Sequence, residues 1–394
     1  MAIADVVVVG AGPAGTAAAA DLAARGFHVV LVDRATFPRD KPCGDYCNPG
    51  AAHLLDKIGM LDHVLGAGAG SIDAMTVVAQ DGSTFTERFP AGRGLVIRRE
   101  RLDALLLDRA ARAGAEIVEG YYAETVTVNG HVEIRALRHR TAFRGRLLIA
   151  ADGMRSVVAR RLGLLTTLPM GRYTVGAYFS GCSGPAAGEL HLGPGSYGGV
   201  ARFGDGSANV CLALPRGWFP GHSAADVFAA GVLRLPALSE RVVGWKREGL
   251  FRVSGPVGVT VHRVVADRTI LAGDAAGQVE PVTGQGISFA LRSGLLAAEE
   301  AARALEAGTF SADALAAYAR RRSTALGPKL RLMNMVTHLA LRPRLTPALV
   351  RRLARTPGLA RRLLGTTGDV LEAEEVFSLQ YALRVLLGID AHDA

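Results

Sequence analysis

The feature that most constrains the fold is an apolar run near the N-terminus that leads into a glycine turn. The run Val6–Val9 is followed by Gly10, Gly12 and Gly15, then by an alanine-rich segment and a second apolar run that ends at Asp33. Gly10 permits a tight turn, Gly12 lets a pyrophosphate approach the backbone, and Gly15 lets a helix pack on the sheet. We therefore expect a β-α-β unit whose helix N-terminus faces a dinucleotide, with Asp33 at a ribose hydroxyl.

Length, hydropathy and cysteine content exclude several classes of protein. The 394 residues can form two or three domains around large cores. The mean hydropathy is +0.22, yet charges or glycine turns interrupt every apolar run before it reaches the roughly eighteen residues of a spanning helix. The first apolar stretch is the dinucleotide strand and has no basic segment before it, so we expect no signal peptide. The four cysteines lack zinc-site spacing, which predicts reduced thiols and no metal site in a cytoplasmic protein.

Positive charge is concentrated near the C-terminus. Residues 314–368 contain twelve Lys and Arg and no Asp or Glu, whereas the whole chain has a net charge of +9. No aromatic residues alternate with these cations, so nucleic acid is not an expected partner. Two interpretations stay open. One is a solvated helical face, and the other is contact with an anionic membrane surface or an acidic carrier protein, which would place a cytoplasmic protein at the membrane periphery. The oligomeric state is not constrained.

Four further motifs follow the β-α-β unit along the chain, and their order is informative. They are Pro38–Gly44, Arg99–Asp103, Ala151–Gly153 and Gly273–Gly277, the last followed by Pro281, Gly284, Gly286 and Ile287. With these motifs the chain resembles the flavoprotein monooxygenases of the p-hydroxybenzoate hydroxylase fold, and within them the geranylgeranyl reductase-like branch. The resemblance extends to about Leu305 and is weaker beyond it.

The resemblance implies an α/β chain (α+β overall) with a Rossmann-like FAD-binding domain, an antiparallel-sheet substrate domain and a helical C-terminal region. The FAD-binding domain is expected to comprise residues 1–70, 99–165 and 267–310. The substrate domain is expected to comprise 71–98 and 166–266, and the helical region 311–394. Within that region, proline predicts helix breaks at Pro328, Pro343, Pro347 and Pro357.

FAD is the cofactor that the resemblance implies. The expected FAD-binding residues are Gly10, Gly12, Pro13, Ala14, Gly15, Asp33, Arg34, Lys41, Cys43, Gly44, Arg99, Asp152, Gly153, Gly273, Asp274, Pro281, Gly284, Gly286 and Ile287.

The resemblance also implies particular roles for some of these residues. Asp274 is expected at the ribityl chain, Asp152 with Gly153 near the pyrophosphate, and Arg99 at the phosphates or the ribityl chain. The turn at Gly284–Gly286 opens a helix, and the amides at its N-terminus would face the flavin ring where negative charge gathers on reduction.

Two redox reactions fit such a flavoprotein, together with a non-redox alternative. We favour NAD(P)H-dependent monooxygenation of an apolar small molecule (a polyketide, polyene or isoprenoid) through a flavin C4a-hydroperoxide, because Gly199 and Val200 stand where reductases of the branch commonly have an aromatic residue. The alternative is flavin-dependent reduction of a carbon–carbon double bond, as in geranylgeranyl reductases. An FAD-bound cyclase or binding module also fits. No second dinucleotide fingerprint is present, which is compatible with free NAD(P)H, ferredoxin or a dithiol as reductant.

Candidate catalytic residues lie in segments expected to face the flavin. They are Tyr46, Cys47 and Tyr197, with Asp45 as a further candidate acid. Glu280, directly before Pro281, either approaches the flavin or belongs to an ordinary surface loop.

Overall fold

The computed structural model describes residues 3–136, 141–166, 171–184, 187–278 and 280–390. In chain order, the strands within these ranges are β1 (Ala4–Val9), β2 (Val29–Val32), β3 (Tyr46–Cys47), β4 (Gly70–Ile72), β5 (Ala74–Val78), β6 (Thr84–Arg88), β7 (Gly94–Val96), β8 (Glu116–Val118), β9 (Thr125–Asn129), β10 (His131–Arg135), β11 (Ala142–Ala150), β12 (Leu165–Thr166), β13 (Arg172–Ser180), β14 (Gly188–Gly193), β15 (Ser196–Arg202), β16 (Ala208–Pro215), β17 (Lys246–Ser254), β18 (Thr260–Val261), β19 (Val265–Ala266) and β20 (Thr269–Leu271).

The α-helices within the same ranges are also numbered in chain order. They are α1 (Pro13–Ala24), α2 (Pro49–Lys57), α3 (Leu61–Gly66), α4 (Arg99–Arg112), α5 (Val157–Arg161), α6 (Ala224–Leu233), α7 (Pro236–Arg241), α8 (Gly286–Ala307), α9 (Ala316–Ala340), α10 (Thr346–Arg355), α11 (Pro357–Thr367) and α12 (Leu379–Leu387).

The first sheet confirms the Rossmann-like unit. Its strands run in the order β19-β20-β11-β1-β2-β8, with a β9-β10 hairpin added next to β11. The central pairs, β1 with β2 and β1 with β11, are parallel. Alternate side chains of β1 enter different cores, because Val6 and Val8 pack against the alanines of α1 and α8 while Val7 and Val9 pack against Val132. A parallel strand buried on both faces explains the uninterrupted valine run.

The second sheet forms the substrate domain. Its order is β17-β13-β16-β15-β14-β5-β6, and every pair is antiparallel except β14 with β5. One face packs against α6 and α7 through Val227, Phe228 and Leu238. The opposite face turns towards the first sheet and leaves a cavity between them.

The predicted division into segments stays a prediction, and strand pairing crosses its boundaries at two places. β7, from segment 71–98, pairs with β3 and β4 in a separate three-stranded sheet. β5 and β6 come early in the chain, before β7 and α4, yet they join the second sheet. β19, which was assigned to the substrate domain by the boundary at residue 266, instead pairs with β20 in the first sheet. A two-residue strand carries too few side chains to show which sheet it belongs to.

The C-terminal region is helical, but the predicted break at Pro328 is wrong. α9 continues from Ala316 to Ala340 with Pro328 inside it. Proline removes one backbone hydrogen bond and crowds the preceding turn. Tertiary contacts offset this cost, because Leu326 and Leu332 are buried and Lys329 forms an ion pair with the buried carboxylate of Asp369.

The other three prolines lie at helix boundaries. Pro343 lies in the turn after α9, and Pro347 and Pro357 stand in the first turns of α10 and α11. No helix in the described part of the chain is both long and apolar enough to cross a bilayer.

Candidate active site

A cavity between the two sheets brings most of the predicted site residues together. Its lining includes predicted residues from six separate segments, namely Gly12, Pro13, Ala14, Lys41, Cys43, Gly44, Tyr46, Arg99, Gly153, Tyr197, Gly273, Asp274, Pro281, Gly284, Gly286 and Ile287. The N-terminus of α1 and the N-terminus of α8 both open onto it. The first sheet and its helices form one wall, and strands β14, β15 and β16 form the other. We name these the cofactor wall and the substrate wall.

Two glycines make the crossover in the cofactor wall sterically possible. Gly10 has φ +101°, and a Cβ there would lie 2.4 Å from the carbonyl oxygen of Ala151. A Cβ on Gly15 would lie 1.8 Å from the carbonyl oxygen of Gly10. These two glycines therefore do not line the cavity. They bring α1 close enough to the sheet for its N-terminus to do so.

Asp33 binds backbone amides of the crossover through its carboxylate. Its Oδ2 accepts a hydrogen bond from the amide of Ala11 at 2.7 Å, and its Oδ1 accepts one from the amide of Ala35 at 2.8 Å. Asp33 and the exposed Arg34 lie outside the residues that line the cavity. The contact of Asp33 with a ribose therefore stays a prediction.

Cationic side chains gather beside the crossover. The guanidinium of Arg99 donates hydrogen bonds of 2.9 Å to both carboxylate oxygens of Asp103, and Arg39 approaches the same carboxylate at 3.2 Å. Lys41 lines the cavity without a hydrogen bond or ion pair to any described residue. Burial lowers the pKa of Lys41, and the positive charge of Arg99 lowers it further. An anion bound here would supply the counter-charge that Lys41 lacks.

The carboxylate of Asp152 binds the start of α5, and its expected position near a pyrophosphate stays a prediction. Its Oδ2 accepts hydrogen bonds from the amides of Val157 and Val158 at 2.7 and 3.3 Å, so the carboxylate caps α5. Only its neighbours Ala151 and Gly153 line the cavity. The turn that carries Asp152 leads from the sheet into α5. The unpaired amides closest to its carboxylate are those at the start of that helix.

The Gly273–Ile287 segment forms the floor of the cavity. Asp274 lines it, and its Oδ2 accepts a hydrogen bond from Nε2 of Gln278 at 3.2 Å. Oε1 of Gln278 is buried without a hydrogen-bond partner in the described ranges. The amide of Gly273 donates to Oγ of Ser293 at 2.9 Å, which holds the loop against α8.

Strand β3 places Tyr46 and Cys47 on opposite sides. Tyr46 lines the cavity and packs against Gly284, where a Cβ would lie 2.6 Å from the ring. Cys47 is fully buried in a core with Leu95 and Leu291, and burial raises the pKa of its thiol to about 12. The expectation that Cys47 faces the substrate is therefore wrong in its placement, because consecutive side chains of a strand point to opposite faces.

The polar group of the substrate wall comes from three distant segments. The hydroxyl of Tyr197 donates a hydrogen bond to Oε1 of Glu280 at 3.2 Å, and Nη1 of Arg172 donates to Oε2 at 2.9 Å. Only 12% of the Glu280 side chain is exposed, so it is not an ordinary surface carboxylate. Burial raises the pKa of Tyr197 well above its usual value, and the charge of Glu280 adds to this effect. Sequence reasoning missed Arg172, since no local pattern marks an arginine 108 residues from its carboxylate.

Asp45 connects the two walls without lining the cavity. Its Oδ1 accepts a hydrogen bond from the amide of Arg99 at 3.0 Å, and its Oδ2 accepts one from Nδ2 of Asn209 on β16 at 2.6 Å. Burial raises the pKa of this carboxyl to about 6, although the hydrogen bond from Asn209 opposes the shift.

The cofactor wall fits a dinucleotide such as FAD. A Cβ on Gly12 would have no neighbour closer than 3.6 Å, so the backbone at the start of α1 is open to a ligand. The unpaired cation of Lys41 suits a pyrophosphate, and the polar pair Asp274 and Gln278 suits a hydroxylated chain. Across the described ranges, no group of three or more His, Cys, Asp or Glu is arranged to hold a metal ion.

Comparison with known proteins agrees with this fit. A family model described as an FAD binding domain matches residues 3–178. The menaquinone reductase of Mycolicibacterium smegmatis is 36% identical over 320 residues, which cover 75% of this chain and 76% of that protein. The digeranylgeranylglycerophospholipid reductase of Methanothrix thermoacetophila is 32% identical over 343 residues, which cover 83% and 84%.

Solved structures show the same fold at lower identity. The flavin-dependent brominase Bmp2 has a TM-score of 0.82 at 18% identity and covers 93% of this chain and 94% of its own. The halogenase PltM in complex with phloroglucinol and FAD has a TM-score of 0.79 at 17% identity and covers 98% and 90%. At these identities the likeness establishes the architecture alone.

Proposed function

Because the chain belongs to the family of FAD-dependent oxidoreductases that includes these menaquinone and digeranylgeranylglycerophospholipid reductases, we propose that it reduces a carbon–carbon double bond in an apolar, isoprenoid-type chain. The observation that carries the proposal is a cavity whose substrate wall is largely apolar and includes Tyr197, a proton-bearing side chain that is hydrogen-bonded to a carboxylate. The compounds in the relatives' names share an isoprenoid chain. NAD(P)H is the proposed external reductant.

The substrate wall suits a hydrocarbon chain. The lining side chains on β14, β15 and β16 include Leu190, Val200, Ala201, Leu212 and Ala213. Such side chains bind an apolar chain by removing it from water.

The cofactor wall would hold FAD through backbone and charge. The amides at the start of α1 and the ammonium of Lys41 would meet the pyrophosphate, and Asp274 would accept hydrogen bonds from the ribityl hydroxyls. When bound and reduced, FAD supplies two electrons and one hydrogen to one carbon of the double bond.

The second carbon needs a proton, and Tyr197 is positioned to give it. Its raised pKa keeps the hydroxyl protonated at neutral pH. Rotation about the C–O bond moves the hydroxyl hydrogen from Glu280 towards the cavity. A proton from solvent then returns to the phenolate oxygen by way of Glu280, and Arg172 holds that carboxylate in place between turnovers. The alkene gains two hydrogens, the reductant loses two electrons, and the tyrosine is restored.

Monooxygenation is the second candidate, and one observation favours it. A Cβ on Gly199 would meet only the carbonyl oxygen of Glu189, at 3.9 Å, so the substrate wall is wide at this position. The small residues Gly199 and Val200 favoured this reaction when only the sequence was considered. The menaquinone reductase that aligns with three quarters of this chain and of its own length is named as a reductase. For this reason we favour double-bond reduction over monooxygenation.

The test compares air with nitrogen. The purified holoenzyme is incubated with NADPH, or with dithionite as a nicotinamide-free reductant, and with detergent-solubilised menaquinone or a geranylgeranyl phospholipid. Under nitrogen we expect a product whose isoprenoid chain has gained two hydrogens, which fragment mass spectrometry distinguishes from reduction of the quinone ring. A product carrying one added oxygen, formed only under air, would replace the proposal with monooxygenation. Turnover without any reductant would favour a non-redox cyclase.

A further inference from the structure

Helix α12 turns its apolar face outwards. Leu379, Leu383 and Leu387 repeat every four residues and are 77%, 46% and 65% exposed. The inner face is held by Tyr381, whose hydroxyl donates to the carbonyl of Leu359, and by the buried Val385. A surface helix of a water-soluble domain usually has the opposite orientation.

The apolar side chains continue beyond both ends of the helix. Phe377 precedes it and is 41% exposed, and Ile389 follows it and is 42% exposed. Together with the three leucines they form what we call the α12 strip. A contiguous exposed apolar strip of this kind marks a contact surface.

One arginine lies beside an end of the α12 strip, and three others belong to helix α10 or to the turn before it. The guanidinium of Arg352 lies against Gly388, where a Cβ would be 2.5 Å from its Nη1. The exposed side chains of Arg342, Arg344, Arg352 and Arg355 form no hydrogen bond or ion pair with a described residue. The exposed carboxylates Glu374 and Glu375 stand at the opposite end, before the helix begins. Arg352 therefore places positive charge beside the C-terminal end of the strip, where Asp390 accepts hydrogen bonds from the amides of Gly358 and Leu359.

The same region adjoins the substrate end of the cavity. Ala340 and Leu341, where α9 ends, pack against Tyr197 and Val282, which both line the cavity. Arg342 and Arg344 follow directly in the chain. The turn that carries these arginines therefore lies next to the part of the cavity lining formed by Tyr197 and Val282.

We propose that the α12 strip and these four arginines dock the protein onto an anionic membrane surface. The leucines enter the acyl boundary while the guanidinium groups bind lipid phosphates. A second copy of the chain would bury the same leucines, and the test below distinguishes that occupant from a membrane. An acidic protein partner would satisfy the arginines but does not by itself account for five exposed apolar side chains.

The inference goes beyond the proposed function and rests on it only for the expectation that the substrate is a lipid. Docking delivers such a lipid from the bilayer to the adjacent cavity without full transfer through water. Vesicle binding reports docking without turnover, and turnover of a detergent-solubilised substrate reports the reaction without docking. Failure of one therefore leaves the other measurable.

The experiment is co-sedimentation of the holoenzyme with vesicles of phosphatidylcholine alone or mixed with phosphatidylglycerol. We expect binding to the mixed vesicles that weakens with salt. The pair Leu379→Ser with Leu387→Ser should lower the partition coefficient by at least about tenfold. The pair Arg352→Gln with Arg355→Gln should reduce the salt dependence. The matched control is Val243→Ser with Leu250→Ser, two side chains that are 76% and 80% exposed on the substrate domain, and it should bind as the wild type does.

Several outcomes would overturn the proposal. These are no binding to mixed vesicles at low salt, equal binding by the leucine pair and the wild type, or a dimer in solution that the leucine pair dissociates while neither protein binds vesicles. Melting temperatures of all variants, expected to match the wild type, show that lost binding is not lost folding.

Discussion

The two walls of the cavity are built on different principles. The cofactor wall is made of backbone, because glycines bring α1, α8 and the loop after β20 within van der Waals contact and leave amides facing inwards. The substrate wall is made of side chains on strands, with one polar group assembled from Arg172, Tyr197 and Glu280. The cofactor wall depends on the absence of a Cβ atom at a few glycine positions, whereas the substrate wall depends on the side chains that its strands present.

The largest expected effect tests the steric basis of the cofactor wall. Gly15→Ala places a methyl group 1.8 Å from the carbonyl oxygen of Gly10, so α1 must move, and we expect a loss of at least about 3 kcal/mol in unfolding free energy. Gly12→Ala is the matched variant, because its methyl would be 3.6 Å from Nη2 of Arg39. It should unfold as the wild type does without FAD and bind FAD more weakly. Chemical denaturation and flavin titration measure both, and similar stabilities for the two variants would contradict the steric account.

The next effect concerns chemistry at the substrate wall alone. Tyr197→Phe should retain FAD and lower kcat about a hundredfold, because the proton donor is lost while the apolar ring remains. Glu280→Gln should give a smaller loss, and the double variant should be no slower than Tyr197→Phe if both act in one step. Stopped-flow kinetics in light and heavy water provide the second readout. A solvent isotope effect that is unchanged in Tyr197→Phe would rule out tyrosine as the donor.

A smaller effect separates charge from sterics in the cofactor wall. Lys41→Met should lower FAD affinity about tenfold, because the pyrophosphate loses a charge-assisted contact. The protein without FAD should be at least as stable as the wild type, since an unpaired and partly desolvated cation has been removed. Lys57→Met, on the exposed face of α2, serves as the control and should change neither quantity. Equal FAD affinity in both variants would place the pyrophosphate elsewhere.

The smallest effect tests the connection between the walls. The pKa of Asp45 is raised to about 6 in the folded protein from 3.8, so its protonation favours the folded state and its contribution is lost as the pH rises through about 6. Between about pH 7 and about pH 5 the wild type should gain about 1 kcal/mol of stability from this group.

Asp45→Asn carries no titratable group, and the stability difference between wild type and variant should therefore grow in favour of the wild type as the pH falls. Denaturation curves at both pH values measure it. A difference that does not change with pH would mean that this carboxyl is solvated rather than buried between the walls.

The cofactor wall could be predicted from the sequence to a far greater extent than the substrate wall. Gly12, Asp274 and Gly286 were all expected at the cofactor and all line the cavity. Each belongs to a short contiguous motif whose local geometry is set by glycine sterics and strand order. Asp152 belonged to such a motif too, yet its carboxylate found the nearer amides of α5.

The substrate wall and the C-terminal region gave the errors and the omissions. Cys47 and Tyr46 are neighbours in the chain, and only the register of β3 against β7 decides which of them faces the cavity. Arg172 was missed because its partner is brought close by the fold. Pro328 was expected to end a helix, and packing around Lys329 overrode that local preference.

The amino-acid sequence alone determined the β-α-β crossover, the family resemblance and the apolar character of the buried strands, because glycine sterics and side-chain periodicity act over a few neighbouring residues. Tertiary structure alone decided that Tyr197, Glu280 and Arg172 form one hydrogen-bonded group and that α12 exposes its leucines. Contacts between residues 83 and 108 positions apart depend on how two sheets pack against each other. That packing is a collective property of the whole core, and no local pattern records it.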